Sequence, residues 1–132
     1  MPFEVIWEQR GVRMHFSGEM SPADILNANL AFYEDERSDS ARYQILDCLD
    51  VTSLSNDPRG YEDTLVTLAA MDNGAALSLG PVKVALVAVL QETIDLFTQY
   101  SDVSNSMDSD WPTRVFPDMD SARAWIAPTG AP

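Results

Sequence analysis

The segment from Val82 to Leu90 is almost wholly apolar and rich in β-branched side chains, and Val84 to Leu90 is the longest uninterrupted apolar run in the chain. It is far short of the ~20 residues that span a bilayer. At the edge of a sheet it would invite aggregation. Its natural place is a fully buried, central parallel strand covered on both faces, and parallel neighbours require helical crossovers. This one segment directs the chain toward an α/β architecture.

The rest of the pattern agrees. Phe3, Val5 and Trp7 alternate with Glu4, Ile6 and Glu8, and Val12, Met14 and Phe16 alternate with Arg13, His15 and Ser17. Both have the two-residue period of half-buried strands. Trp7 must oppose Val12, Val5 must oppose Met14 and Phe3 must oppose Phe16, because a one-residue slip would put Arg13 beside Trp7 on the core face. Glu8-Gln9-Arg10-Gly11 is the connection, with Gly11 expected in the left-handed conformation. The same register sets Glu4 opposite His15 on the outer face, as its expected partner.

Ser21-Pro22-Ala23-Asp24 is a helix start: a cap, a proline suited to the first position and an acid at the positive dipole end. Ile25, Leu26, Leu30 and Tyr33 share one face, and the charged run Glu34 to Asp39 ends the helix. Arg42 to Leu49 reads as a strand, and Asn56-Asp57-Pro58 opens a helix to about Leu77. Gln91 to Tyr100 is a third helix, Asp102 to Pro112 a polar acidic loop, Thr113 to Phe116 a last strand and Asp118 to Ile126 a last helix. The order β-β-α-β-α-β-α-β-α predicts a five-stranded mixed sheet with about four helices. The first strand is the lone antiparallel one, at an edge, and the crossovers are right-handed. Residues 1–127 form one domain, and 128–132 read as a flexible tail.

Charge and composition exclude several functions. The 132 residues carry 21 acids and 8 bases, a net charge of −13. Phosphate binding needs a basic face, so no nucleic-acid partner is expected. Attraction to anionic membranes is excluded on the same ground. The chain opens Met1-Pro2-Phe3-Glu4, with an acid where a secretory signal has a basic region, and a cytoplasmic location is the default. Cys48, the one cysteine, sits in an apolar run and reads as a buried reduced thiol. With one histidine and one cysteine, neither a two-histidine metal site nor a thiolate cluster can form. The glycines have no phosphate-loop or dinucleotide spacing, and nucleophile-elbow and kinase signatures are absent. No catalytic residue, metal or cofactor is expected, and an enzyme would have to work with carboxylates and hydroxyls alone.

Two polar residues interrupt apolar helix stripes. Asn29 lies between Leu26, Leu30 and Tyr33, and Asp72 lies with Tyr61, Leu65, Leu68 and Ala69. A buried carboxylate must be paired, hydrogen-bonded or neutralised. Asp72, with Asn29, either lines a pocket or interface, or it bonds a nearby arginine, hydroxyl or amide, or sits at the rim. Asp47 and Asp50 form a second acidic pair near a strand end, where open parallel sheets bind ligands. Trp7 and Trp125 fall on core-facing positions. Trp111, after Asp108-Ser109-Asp110, is either an interface anchor or a lid over the sheet edge.

The stretches Gly18-Glu19-Met20-Ser21-Pro22-Ala23-Asp24-Ile25, Tyr43-Gln44-Ile45-Leu46-Asp47, Val82-Lys83-Val84-Ala85-Leu86-Val87-Ala88, and Val115-Phe116 through Ala122-Arg123-Ala124-Trp125-Ile126, taken with the element order, resemble the SpoIIAA-like family. These are STAS-related domains typified by anti-sigma-factor antagonists. The resemblance covers nearly the whole chain and implies an α/β domain with a β–α superhelix, acting as a regulatory or protein-interaction module and not as a catalyst. In the antagonists an Asp-Ser-Ser/Thr-Gly-like turn after the third strand carries a phosphorylated serine. Here the matching loop, Asp50 to Pro58, has hydroxyls but no glycine, and its acids would repel the roughly two negative charges of a phosphate. Ser53 and Ser55 are the candidates for a phospho-switch, or else they cap the following helix or make side-chain turns.

Two functions follow. The first is a non-catalytic interaction module, a homodimer with a protein partner, using the outward Ile6. The alternative is a binder of a small apolar ligand between helices and sheet, with Asn29 and Asp72 orienting a head group. A cavity near Asp72 would favour the alternative, and a flat apolar patch with Ile6 or Trp111 would favour the first.

Overall fold

The computed structural model describes residues 3–79, 82–106 and 111–130. Strands β1 (Phe3–Trp7) and β2 (Gly11–Met20) pair antiparallel, with Trp7 opposite Val12, Val5 opposite Met14 and Phe3 opposite Phe16. The Glu8 N–H donates to the Gly11 carbonyl at 2.8 Å to close the turn. Gly11 is not left-handed as expected; Gly18, at φ 68°, is the glycine with positive φ among the described residues. Gly11 is required by proximity instead, since a Cβ there would lie 2.5 Å from the Tyr43 carbonyl oxygen of the adjacent strand.

Helix α1 (Pro22–Glu34) begins with a reciprocal cap. Ser21 Oγ accepts from the Asp24 N–H at 3.2 Å, and the Asp24 carboxylate accepts from the Ser21 N–H at 2.9 Å, so two of the helix's orphan donors are satisfied. A 3₁₀ turn (Glu36–Ser40) leads into β3 (Tyr43–Leu54). This strand runs past Leu49 through what reads in sequence as a loop. Two register shifts against β2 make that possible. Each inserts an extra residue into β3, so the core side of the strand passes from Cys48 to Val51 to Leu54 instead of alternating.

Helix α2 (Pro58–Leu79) starts where the Asp57 carboxylate accepts from the Gly60 N–H at 3.0 Å. Strand β4 (Lys83–Val87) is interior as expected but shorter than the apolar run. Val89 lies beyond the pairing and is 58% exposed, so the run is not buried through Leu90. Helix α3 (Gln91–Ser106) continues beyond Tyr100, converting the first part of the expected acidic loop into helix because Val103 and Ser104 still face inward. Residues 107–110 of that loop, including Asp108-Ser109-Asp110, lie outside the described residues. Strand β5 (Thr113–Phe116) and helix α4 (Met119–Gly130) complete the chain. Helix α4 extends into the expected tail, of which residues 131–132 lie outside the described residues. No helix among the described residues is long and apolar enough to cross a membrane.

The five strands lie in sequence order, β1-β2-β3-β4-β5, antiparallel at the first pair and parallel thereafter. Strand order that never reverses places right-handed crossovers on one face. Accordingly α1, α2 and α3 share one core with Met14, Leu46, Val84 and Leu86. Helix α4 is no crossover, and it covers the opposite face, where Ile45, Ala85, Val87 and Phe116 meet Ala122 and Ile126. Because neighbouring strands never reverse order, there is no switch-point crevice at the C-terminal strand ends. Asp47 there is occupied structurally: it accepts from Arg13 at 2.9 Å and from the Leu49 N–H at 3.2 Å.

Candidate functional site

The three-helix face contains a cavity of about 20 Å³, bounded by strand residues Met14, Gln44 and Leu46 below and by α1, α2 and α3 above. Its walls are mostly aliphatic and aromatic. Polar groups enter from each helix: Asn29 from α1, Asp72 from α2 and Tyr100 from α3.

Asp72 is 2% exposed, so helical periodicity places it correctly in the apolar stripe of α2. Its partners are hydroxyls and not an arginine. Tyr33 Oη donates to Oδ1 at 2.5 Å, and Tyr100 Oη donates to Oδ2. Each carboxylate oxygen thus holds one phenol, and three helices are tied at a single side chain. Burial pushes the Asp72 carboxyl above the usual range, opposed by the bonds from Tyr100, Tyr33 and Asn29. Burial and the adjoining Asp72 charge raise both phenols in turn. Asn29, 6% exposed, also points its amide nitrogen toward Met71 Sδ at 4.0 Å.

Gln44 is not among the site residues expected above. It is 1% exposed on the cavity floor, and its Nε2 has no hydrogen-bond partner in the protein. Such orphaned donors are uncommon in folded proteins and call for an explanation. The signal for it existed: Gln44, Leu46 and Cys48 share one strand face by parity. Tyr33 and Tyr100 carried no signal linking them to Asp72, because that meeting depends on which helices pack together.

Trp111 is not an exposed interface anchor. It is 1% exposed, stacked on Tyr33 with centroids 6.3 Å apart and set edge-on to Phe32 at 6.5 Å. Phe32 stacks in turn on Trp7 at 5.7 Å, and the Arg37 guanidinium caps Trp7 at 4.8 Å. This aromatic series backs Tyr33, the phenol that holds Asp72.

The other sequence candidates lie elsewhere. Ser53 is inside β3, in register with Glu19, and half-buried. The Ser55 N–H donates to the Met20 carbonyl, and its hydroxyl lies 3.3 Å from Tyr61 Oη. His15 stands opposite Glu4 in register, but its Nε2 meets Asp50 Oδ2 at 2.7 Å across β3, so Glu4 is not its partner. Cys48 is buried with its sulfur 3.8 Å from Met20 Sδ, and burial pushes its thiol far up. No group of three metal-ligating side chains occurs among the described residues.

A second polar cluster ties the hairpin to α4. Arg123 donates two bonds to the Glu8 carboxylate, at 3.0 and 2.8 Å, and Tyr43 Oη donates a third at 2.5 Å. The Arg123 bonds hold the Glu8 carboxyl below its usual range despite partial burial.

No protein-family model matches the chain, and no curated protein does either. Among solved structures, the chain is similar to an uncharacterized protein from the DUF3478 family with a SpoIIAA-like fold from Shewanella loihica PV-4. That similarity has a TM-score of 0.54 at 14% identity, over 94% of this chain and 91% of that one. At such identity the likeness concerns the fold alone, and it agrees with the strand order, the lone antiparallel edge and the four helices described above. The chain has a SpoIIAA-like α/β fold.

Proposed function

We propose that this domain is a non-catalytic binding module whose interior cavity takes a small, largely apolar molecule. The observation that carries this is the cavity itself, placed where Asn29, Asp72 and Tyr100 converge inside otherwise apolar walls. Sites for small molecules combine apolar surface with a few convergent polar groups in this way. As it stands the cavity exceeds the ~10–15 Å³ that one water needs. A guest larger than a water requires the helices over the cavity to part, because close-packed walls leave no other room. Titration with n-hexane to saturation, followed by NMR, tests this. Shifts centred on Met14, Leu68 and Phe97 are expected; their absence would remove the cavity as a binding site.

The protein-interaction role suggested by the sequence has less support, because Trp111 is interior. What favours it is the free edge of β1, where half-buried Ile6 belongs to neither hydrophobic cluster. A homodimer through that edge would shield it, as twofold pairing commonly does. Sedimentation at tens of micromolar that returns only the 14.6 kDa species would exclude self-association.

A further inference from the structure

Resting on that binding role, the geometry points to a specific head group: an uncharged hydrogen-bond acceptor, such as a ketone, ester or amide carbonyl, received by Gln44 Nε2 on the cavity floor. Three observations converge on it.

The first is the orphaned donor. Gln44 is buried to 1% exposure, lines the cavity and leaves Nε2 without a partner in the protein. Nε2 is closed to a molecule the size of water as the structure stands, so an acceptor completes it only by widening the cavity at Gln44. The other unpartnered buried atom among the described residues, Thr93 Oγ1, does not line the cavity.

The second is the absence of positive charge from the lining. Among the described residues no lysine, arginine or histidine contributes to it. A carboxylate or phosphate head would enter a low-dielectric chamber beside Asp72 with no counter-charge, and an uncompensated buried ion is strongly disfavoured. Anionic lipids and organic acids are therefore poor candidates.

The third is the state of Asp72. Both its oxygens already accept from phenols. A cationic amine would compete with Tyr33 and Tyr100 for them and would leave Gln44 facing another donor. An acceptor oxygen meets the unused donor and leaves the Asp72 bonds intact. Asp72 then acts as a positioning residue, holding Tyr33, Tyr100 and three helices around the head, without itself binding it.

A matched six-carbon series decides the matter: n-hexane, hexan-2-one, hexanoate and hexylamine, titrated at neutral pH into the full chain with ¹⁵N and methyl NMR. Hexan-2-one is expected to bind tightest, and to move the Gln44 side-chain amide resonances. Gln44→Met and Gln44→Leu should weaken hexan-2-one by about tenfold, the worth of one hydrogen bond in a buried site, while leaving n-hexane shifts in place. Either substitution serves if the other fails to fold, and the wild-type amide shift needs neither. Tighter binding of hexanoate or hexylamine, or an unmoved Gln44 amide with bound ketone, would overturn the head-group assignment while the cavity reading survives. Failure of all four probes to shift the cavity residues would overturn both.

Discussion

Asp72 and Glu8 are both carboxylates held by a tyrosine hydroxyl, and they behave in opposite ways. Asp72, under the three-helix face, has two phenols and no cation, and burial raises its carboxyl. Glu8, on the hairpin below α4, has one phenol and the two-pronged Arg123 guanidinium, and its carboxyl is lowered. Neutral hydroxyls satisfy lone pairs, but only the cation outweighs desolvation. The two ends of the molecule are therefore built for different things. The Glu8 cluster is a clamp whose charges are balanced. The Asp72 cluster keeps a carboxyl without a cation beside a cavity, and the proposed binding role rests on that exception.

The largest test of this contrast is the pair of tryptophans. Trp111 is fully interior and backs Tyr33, whereas Trp125 is half-buried on α4, with Lys83 over its ring at 5.1 Å. Trp111→Ala should cost ~3–5 kcal/mol, as large-to-small core changes do. Trp125→Ala should cost about half of that or less, because less area is lost from the core. Urea midpoints at constant slope measure both. Equal losses would mean that the three-helix face has no special dependence on its aromatic backing.

Next in size is the bonding at Asp72. Asp72→Leu leaves the buried Tyr100 hydroxyl and the half-buried Tyr33 hydroxyl without their acceptor, at ~1–3 kcal/mol for the first and less for the second. Tyr100→Phe removes one bond and should cost ~1–3 kcal/mol in the wild-type chain, but under ~0.5 kcal/mol once Leu replaces Asp72. A double-mutant cycle in denaturant reads the difference. Additive losses would show that Tyr100 is held by packing and not by the carboxylate.

Much of this contrast could be read from sequence, and the unread part has physical reasons. The hairpin register followed from alternation alone, because any slip would bury Arg13. Asp72 followed from helical period. The extension of β3 did not, since its two bulges break the period-2 pattern at Asp50 to Leu54. Helix α3 outruns its sequence pattern because its last turns are mostly polar, with Ser101, Val103 and Ser104 facing in. For Trp111 the burial decides against the interface anchor and for a packed side chain, a choice its acidic sequence neighbours leave open because they say nothing about a stack formed with α1. Gln44 follows strand parity with Leu46 and Cys48, but Tyr33 and Tyr100 reach Asp72 from two other helices, and no local periodicity encodes which helices meet.

A smaller effect separates the clusters by pH. A carboxyl raised on folding binds its proton more tightly in the native state. Its contribution is full below the unfolded value of ~3.9 and is lost as pH rises from there through the elevated native value. Asp72→Asn should therefore flatten the fall in stability above about pH 4 relative to wild type. Chemical denaturation at successive pH values gives the difference directly. An unchanged slope in that window would mean that the phenols and Asn29 fully offset burial at Asp72.

The smallest effect belongs to the clamp, and its sign is the reverse. Glu8 is lowered by Arg123, so its stabilising contribution is present above the unfolded value of ~4.3 and is lost as pH falls through the depressed native value. Glu8→Gln keeps the shape and the Tyr43 bond while removing the charge. At neutral pH the loss should be no more than ~1 kcal/mol, because the pair is partly solvated and screened. The Arg123 side chain is 43% exposed and that of Glu8 22%. As pH falls from ~4.3 through the depressed native value the Glu8→Gln and wild-type chains should converge, and at high salt the gap at neutral pH should shrink. The Asp72→Asn difference should respond less to salt, because that site is enclosed and ions do not reach it. If Glu8→Gln instead diverged from wild type on acidification, Arg123 would not be what lowers the Glu8 carboxyl, and the contrast between a cation-balanced clamp and a cation-free cavity would fail.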